Sequence, residues 1–322
     1  MSNHSRHKVA NSVLVLAWIL AADCTAINSS TSTLRGTGIS QLKVPDAIKL
    51  ALVPAWSPTG SKVAFVGYPS QTEINIYVLD VASENTIPIL PPREQYPVSN
   101  PQWSPDATRI VYSGNSTTLH KAGIWSVEVD SKPEYIAPGY EASWSPDGSK
   151  LAVLDSSASG DQIKIIDMRT EASKTIFTIQ SKPPQALKDI VWSPDASILA
   201  FVVITEENGY EVSHLYRIDA DGNHEQALLA DRQVTSVADP KWILDGKWIA
   251  FLLGMGSDRT LNFIRADGQC IVSPLKNLHD LGSMDILPDG TKAVVESQGN
   301  LYMLDVQAAL APQSIAETLV CH

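Results

Sequence analysis

Apolar and polar residues alternate in short runs along this chain, and each run follows the same turn-like string. In the clearest copy, Trp144 is followed by Ser-Pro-Asp-Gly and then by a run in which Leu151 and Val153 are the apolar positions. Proline suits the second position of a tight turn, and Asp and Gly suit the later ones. Alternation of period two is the strand signal. The string therefore predicts a β-hairpin in which Trp144 ends the first strand.

The string occurs six times. The anchor residues, one at the same place in each copy, are Trp56, Trp103, Trp144, Trp192, Trp242 and Ile286. Successive anchors are separated by 47, 41, 48, 50 and 44 residues. A period of about 46 residues is typical of a solenoid or a propeller and not of a mixed globular domain.

Two further strands are predicted after each hairpin. The third begins, for example, at Ile76 and Leu301, and a weaker fourth follows, in the last copy at residues 314–320. Four strands per period without helical spacing predict an all-β, six-bladed propeller of four-stranded antiparallel blades over residues 39–322. Ring closure stays open, because residues 39–42 and residues 314–320 compete for the outer position of blade six.

The anchor tryptophans have a structural role in this layout. A large flat ring near one end of the innermost strand fills the wedge between neighbouring blades. Burial of such a side chain contributes on the order of 3 kcal/mol. We therefore predict that the anchors belong to the core and are not platforms for ligand stacking.

The recurring Trp-Ser-Pro-Asp-Gly string, with its following Ile/Leu-Tyr-x-x-Asp strand, resembles the repeat of TolB-like β-propellers. Trp144 begins a full match, while Trp56, Trp103 and Trp192 begin close ones. The resemblance covers residues 39–322 and implies the propeller alone, without the N-terminal domain of TolB. The same repeat forms the propeller of prolyl-oligopeptidase-like peptidases. Because the sequence contains no Gly-x-Ser-x-Gly elbow, we do not expect peptidase activity.

Composition and charge exclude some classes of protein and of partner. The chain has 322 residues, with 44% hydrophobic and 18% charged residues, which is typical of a packed globular protein. A formal net charge of −11 argues against nucleic acid or an anionic membrane as the main partner. We expect a monomer that needs no cofactor. We also expect no metal, because the histidines are scattered without metal-ligand spacing.

The first 26 residues are predicted to be a signal peptide. Arg6 and Lys8 precede an apolar core over residues 13–22, and small residues lead to a cut after Ala26. A Ser/Thr/Gly-rich flexible segment follows over residues 27–38. We thus expect export to the periplasm, the cell surface or the extracellular space. Asp23 directly before Cys24 disfavours a lipid anchor.

Two cysteines remain after such a cut, Cys270 and Cys321. An exported protein meets oxidising conditions, and an even pair of cysteines favours a disulfide bond. Two buried free thiols are the alternative.

Function is expected where the six copies differ. In a four-stranded blade, the one–two and three–four turns lie on one face, here called the turn face. The two–three hairpins and the connections between blades lie on the other, the connection face. The connections are the segments that vary most between copies: residues 91–100, 138–141, 181–189, 231–239 and 274–283.

Variable loops on a rigid ring are the usual place for binding. Aromatic and arginine side chains dominate interface hot spots. The candidate binding residues on the connection face are Arg93, Tyr96, Tyr140, Arg232 and His279. The sequence thus predicts a module that binds or scaffolds another protein or an extracellular ligand. The alternative is a hydrolase or lactonase with a site in the central channel, with or without a metal.

Overall fold

A computed structural model of the chain describes residues 34, 37–91, 95–116, 119–129, 131–179, 185–207, 209–229, 236–255, 258–275, 278–310 and 315–319. These residues form six four-stranded antiparallel sheets. The first strand of each sheet contacts the first strands of both neighbouring sheets, so that the six sheets close into a ring. The predicted six-bladed β-propeller is confirmed.

The first three blades follow the predicted order. Blade one contains β2 (Leu50–Trp56), β3 (Lys62–Tyr68), β4 (Asn75–Asp80) and β5 (Thr86–Pro88). Blade two contains β6 (Gln95–Trp103), β7 (Arg109–Ser116), β8 (Lys121–Glu128) and β9 (Glu134–Ala137). Blade three contains β10 (Glu141–Trp144), β11 (Lys150–Ser157), β12 (Gly160–Asp167) and β13 (Ser173–Thr178).

The last three blades complete the ring. Blade four contains β14 (Ala186–Trp192), β15 (Ile198–Glu207), β16 (Tyr210–Asp219) and β17 (Gln226–Ala227). Blade five contains β18 (Val237–Ile243), β19 (Trp248–Leu253), β20 (Thr260–Arg265) and β21 (Ile271–Val272). Blade six contains β22 (Ser283–Ile286), β23 (Lys292–Ser297), β24 (Asn300–Asp305) and, at its outer edge, β1 (Ile39–Gln41).

The Ser-Pro-Asp-Gly string forms its turn through side-chain hydrogen bonds. In blade three, Ser145 Oγ donates to Asp147 Oδ1 at 2.6 Å and accepts from the Lys150 amide at 2.9 Å. Asp147 also accepts from the Ser149 amide. These hydrogen bonds, led by that of Ser145, lower the pKa of Asp147 to about 2. Blades two and four repeat the contact through Ser104 and Ser193.

Each anchor packs between its own blade and the preceding one, as predicted. Trp192 is 4% exposed and lies in a core cluster with Ala152 and Leu154 of blade three. Its indole Nε1 donates to the Ser143 carbonyl at 3.1 Å. Trp56, Trp103, Trp242 and Ile286 are likewise buried. Trp144 departs from the prediction in degree, because it is only partly buried against its cluster.

The ring is closed by the N-terminal strand. β1 pairs antiparallel with β24, with Ile39 opposite Leu304 and Gln41 opposite Tyr302. The prediction of a fourth strand at residues 314–320 is wrong: α1 (Val306–Leu310) follows β24, and α2 (Ile315–Thr318) occupies part of that segment. The outer position is already filled by β1. Ile315 and Leu319, four residues apart, both pack into the blade five–six core.

Two predicted N-terminal segments lie wholly or mostly outside the described residues. They are the signal peptide at residues 1–26 and the flexible segment at residues 27–38, and both stay predictions. Among the described residues, no helix is long and apolar enough to cross a membrane. Cys270 forms a disulfide bond. Cys321 lies outside the described residues, so its pairing with Cys270 stays a prediction.

Candidate functional site

The central channel is lined by one residue from each blade, three positions before the anchor. We call this set the channel ring: Val53, Asn100, Glu141, Asp189, Asp239 and Ser283. In blades one, two, four and five, the first strand bulges at this residue, which has a φ of 51–55°. In blades three and six, the first strand begins there. Bulges re-aim side chains and concentrate near functional sites.

Side chains of the channel ring join blade to blade. Each of four members accepts a hydrogen bond from a backbone amide of the next blade. The pairs are Ile190 N to Glu141 Oε1 at 2.8 Å, Asp239 N to Asp189 Oδ2 at 3.1 Å, Met284 N to Asp239 Oδ2 at 2.9 Å and Val53 N to Ser283 Oγ at 3.2 Å. The series runs from blade three through blade six to blade one. It stops there, because Val53 has no polar side chain.

A second layer lies one position before the anchors. Asp285 Oδ2 accepts from the Trp56 amide at 2.7 Å and thereby links blade six to blade one. Asp285 Oδ1 lies 3.5 Å from Lys241 Nζ of blade five, with the Lys241 and Asp285 side chains 16% and 12% exposed. An ion pair whose two side chains are mostly buried holds its geometry more firmly than a pair on the surface.

Two carboxyl groups of the channel, those of Glu141 and Asp239, have pKa values far above their ordinary range. Burial, together with the Asp189 carboxylate, raises the pKa of Glu141 to about 8. The same two causes raise the pKa of Asp239 to about 7. Burial disfavours the Lys241 ammonium, but Asp285, Asp239, Asp189 and Glu141 outweigh burial and raise its pKa. Near neutral pH the channel therefore carries less negative charge than its carboxyl groups suggest.

These shifts predict stability that falls as pH rises. Because Glu141 and Asp239 keep their protons to higher pH in the folded chain, their contribution is complete below about pH 4 and is lost through pH 7–8. We expect the free energy of unfolding to drop between pH 5 and pH 9. Glu141→Gln keeps an acceptor for Ile190 N and should reduce that drop by about 4 kcal/mol, since its pKa of about 8 lies about three units above pH 5 and one unit corresponds to about 1.4 kcal/mol.

Urea denaturation at both pH values measures the effect. The exposed Glu73→Gln variant is the matched control, and it should lose stability between the two pH values as the unmodified chain does. A Glu141→Gln variant with an unchanged pH profile would show that Glu141 ionises normally in the fold.

The channel itself is narrow. Its cavity of about 30 Å³ is lined by residues from the first strands of all six blades. That volume holds one or two water molecules or the tip of one side chain. Within the described ranges, no group of three or more His, Cys, Asp and Glu residues is arranged to hold a metal ion. What the described residues do show for the channel ring is a set of hydrogen bonds that join neighbouring blades.

A larger cavity of about 530 Å³ opens on the turn face between blades four and five. Arg217, Lys247 and Arg265 line it together with Asp267. Arg265 is paired with Asp267, and Arg217 Nη1 donates to the Ala266 carbonyl at 2.9 Å. Most of its cationic groups thus stabilise neighbouring turns.

The connection face carries most of the exposed large apolar side chains of the described residues. Leu119, Tyr210 and Met255 are 63%, 76% and 60% exposed. Leu119 and Met255 lie between the second and third strands of blades two and five, and Tyr210 is the first residue of the third strand of blade four. The remaining two are less exposed and lie elsewhere: Ile87 on the outer strand β5, and Val129 on the turn face. Three of the five exposed large apolar groups of the described residues thus lie on the connection face.

The structure describes the side chains of two of the five predicted binding residues, Tyr140 and His279. Arg93 and Arg232 lie outside the described residues, and the Tyr96 backbone belongs to β6. His279 is exposed on the connection face. The Tyr140 hydroxyl lies 2.9 Å from Asp161 Oδ2 and 3.0 Å from the Leu187 carbonyl, which joins blades three and four. Burial, with Asp161 nearby, strongly raises the pKa of Tyr140.

Several predicted connections are shorter than expected. Residues 95–100, 186–189 and 237–239 belong to first strands, and Glu141 begins β10. The polar members of the channel ring lie inside these segments, so sequence reasoning treated them as loop ends. Their constant distance of three residues before each anchor was the available signal.

Comparison with known proteins places the fold. No family model matches the chain. A TolB of Agrobacterium tumefaciens superposes with a TM-score of 0.62 at 16% identity, covering 79% of this chain and 90% of that one. TolB of Acinetobacter baumannii gives 0.58 at 19% identity, covering 78% of this chain and 65% of that one. An oligogalacturonate lyase of Vibrio parahaemolyticus gives 0.55 at 14% identity, covering 84% and 79%.

A curated sequence, the uncharacterized peptidase YuxL of Bacillus subtilis, is 28% identical over 48% of this chain. The match spans 29% of that protein's length. The TolB-like propeller predicted from the repeats is therefore confirmed as a fold. At these identities, the activities of the similar proteins are not carried over.

Proposed function

We propose that this chain is an exported propeller that binds another protein on its connection face. The observation that carries the proposal is the exposure of Leu119, Tyr210 and Met255 on three two–three hairpins of that face. A TolB-like propeller fold supports such a role, since a rigid ring holds its loops in fixed positions.

The physical reason is hydration. Each of these three side chains keeps more than half of its surface in water in the free chain, although it lies at or beside a hairpin with regular strand pairing. Removing apolar surface from water contributes about 25 cal/mol per Å². A partner that covers several of these groups at once would gain that free energy without reorganising the ring.

Site-specific photo-crosslinking tests the proposal. A benzophenone amino acid at position 119, 210 or 255 should give a covalent adduct with one partner of defined mass in the native secretome or envelope extract. The matched controls are the same substitution at Val129, on the turn face, and at Ile87, on the outer strand. We expect adducts at the three connection-face positions and at least fivefold less at the controls.

Mass spectrometry of the adducts identifies the partner and the crosslinked position. Adducts of equal yield at Val129 and Ile87, or none at the three connection-face positions, would refute binding through this face. Thermal melting of each labelled variant checks that the ring is intact.

A further inference from the structure

The two–three hairpin of blade four has the longest paired strands of the six. In every blade the second strand begins six residues after the anchor, so any extra length appears at its opposite end, on the connection face. β15 has 10 residues, whereas the second strands of the other blades have 6 to 8. At about 3.3 Å per residue, the paired part of this hairpin is roughly 7–13 Å longer than in its counterparts.

The two strands of this hairpin pair along their whole described length. β15 and β16 pair without interruption as far as Glu207 opposite Tyr210. At its base, Ser213 Oγ donates to the Val237 carbonyl at 3.0 Å and accepts from the Val237 amide at 2.7 Å, which fixes the hairpin to blade five. The base of the hairpin is thus joined to blade five by two hydrogen bonds.

The residues beside the tip are unfavourable for a stable hairpin. Glu206 lies directly opposite Glu211, and like charges at opposed positions destabilise a strand pair. Neither of them, nor Glu207, pairs with a Lys or Arg among the described residues; Glu207 Oε1 has the His214 ring at 3.1 Å. Tyr210 is 76% exposed beside them. Local features that oppose stability, with no compensating gain in the fold, are expected at functional sites.

We propose that this hairpin tip is the part of the connection face that enters a basic groove of the partner protein. The partner's Lys or Arg groups would face Glu206, Glu207 and Glu211, and an apolar pocket would take the Tyr210 ring. Tyrosine supplies a large contact area and a polar tip, as interface hot spots require. The carboxylates repel phosphate groups, so nucleic acid and anionic lipid do not fit. This inference rests on the proposed function, because it names the chemistry of the same partner.

The first test uses synthetic peptides as probes. Three fluorescent peptides of about 12 residues share the same leucines and alternate them with Lys, Gln or Glu. Fluorescence anisotropy should show the Lys peptide binding at least tenfold more tightly than the Gln peptide, with affinity falling as salt rises. The triple variant Glu206→Gln, Glu207→Gln, Glu211→Gln should lose at least tenfold, and Tyr210→Ser at least threefold.

A control triple variant separates the site from the net charge of the protein. Glu84→Gln, Glu171→Gln and Glu225→Gln remove the same charge from exposed turns of the turn face. This variant should bind the Lys peptide within about twofold of the unmodified chain. Equal losses in both triple variants, or no loss in the hairpin triple, would overturn the proposal.

The second test distinguishes the hairpin from the face as a whole. Crosslinkers at positions 119 and 255 are placed in the hairpin triple variant combined with Tyr210→Ser. We expect adduct yield to fall at least fivefold. Undiminished adducts would refute the hairpin's role while leaving connection-face binding intact. If crosslinkers at 119, 210 and 255 give no adduct in the unmodified chain, the proposed function fails. The peptide measurements still test whether the hairpin tip binds basic peptides.

Discussion

Replacing Trp192 with alanine is expected to lower the free energy of unfolding by about 3–5 kcal/mol, as typical for a buried tryptophan. The indole is 4% exposed, fills the wedge against Ala152 and Leu154 of blade three, and donates to the Ser143 carbonyl. The alanine variant loses both the packing and that hydrogen bond. Urea denaturation followed by tryptophan fluorescence and circular dichroism measures the difference.

Trp144 provides the matched control inside the same chain. It holds the same position in blade three, but it is only partly buried, and its Nε1 has no hydrogen-bond partner among the described residues. Trp144→Ala should therefore cost clearly less than Trp192→Ala. Equal losses would mean that the position in the repeat, and not burial, sets the contribution. Trp192→Phe should lose about 1 kcal/mol through the missing hydrogen bond.

The second large effect is expected at the junction of blades six and one. Asp285→Ala should lower the free energy of unfolding by about 3 kcal/mol, because two groups lose their partner at once. The Trp56 amide loses an acceptor at 2.7 Å, and the buried Lys241 ammonium loses its nearest carboxylate at 3.5 Å. The same denaturation experiment measures the loss.

Two further variants show how much of this loss comes from the charge of Asp285 and how much from its position in the repeat. Asp285→Asn keeps an oxygen for the Trp56 amide while removing the charge, so we expect it to lose roughly half as much as alanine. Ser143→Ala, at the equivalent position of blade three, should have little effect, since no described hydrogen bond uses its hydroxyl. A loss from Asp285→Ala no larger than that from Ser143→Ala would show that the junction does not depend on this carboxylate.

Most of the fold could be predicted because the repeat carries its own local chemistry. The turn hydrogen bonds of Ser145 and Asp147 involve residues within five positions of each other, so the sequence string already contains the hairpin. The anchors follow for the same reason. Ring closure could not be predicted, because the pairing of Ile39 with Leu304 depends on long-range geometry that spacing does not encode.

The channel ring and the hairpin tip show two different limits. The sequence predicts loops in the segments that contain Glu141, Asp189 and Asp239. Only the contacts between blades give these residues a role. The segment between Ile198 and Asp219 is visible in the sequence, but its pairing as one continuous hairpin, with Glu206 opposite Glu211, is known only from the structure. The identity of the partner is not encoded in either feature.

The pairing of β1 with β24 has a consequence for biosynthesis. The ribosome makes β1 about 260 residues before the strand it needs, which at 5–20 residues per second is roughly 13 to 50 seconds. During that time blades one to five can form, but the circle stays open and the last blade lacks its edge. Residues 39–41 therefore meet their partner strand only after almost the whole chain has been synthesised.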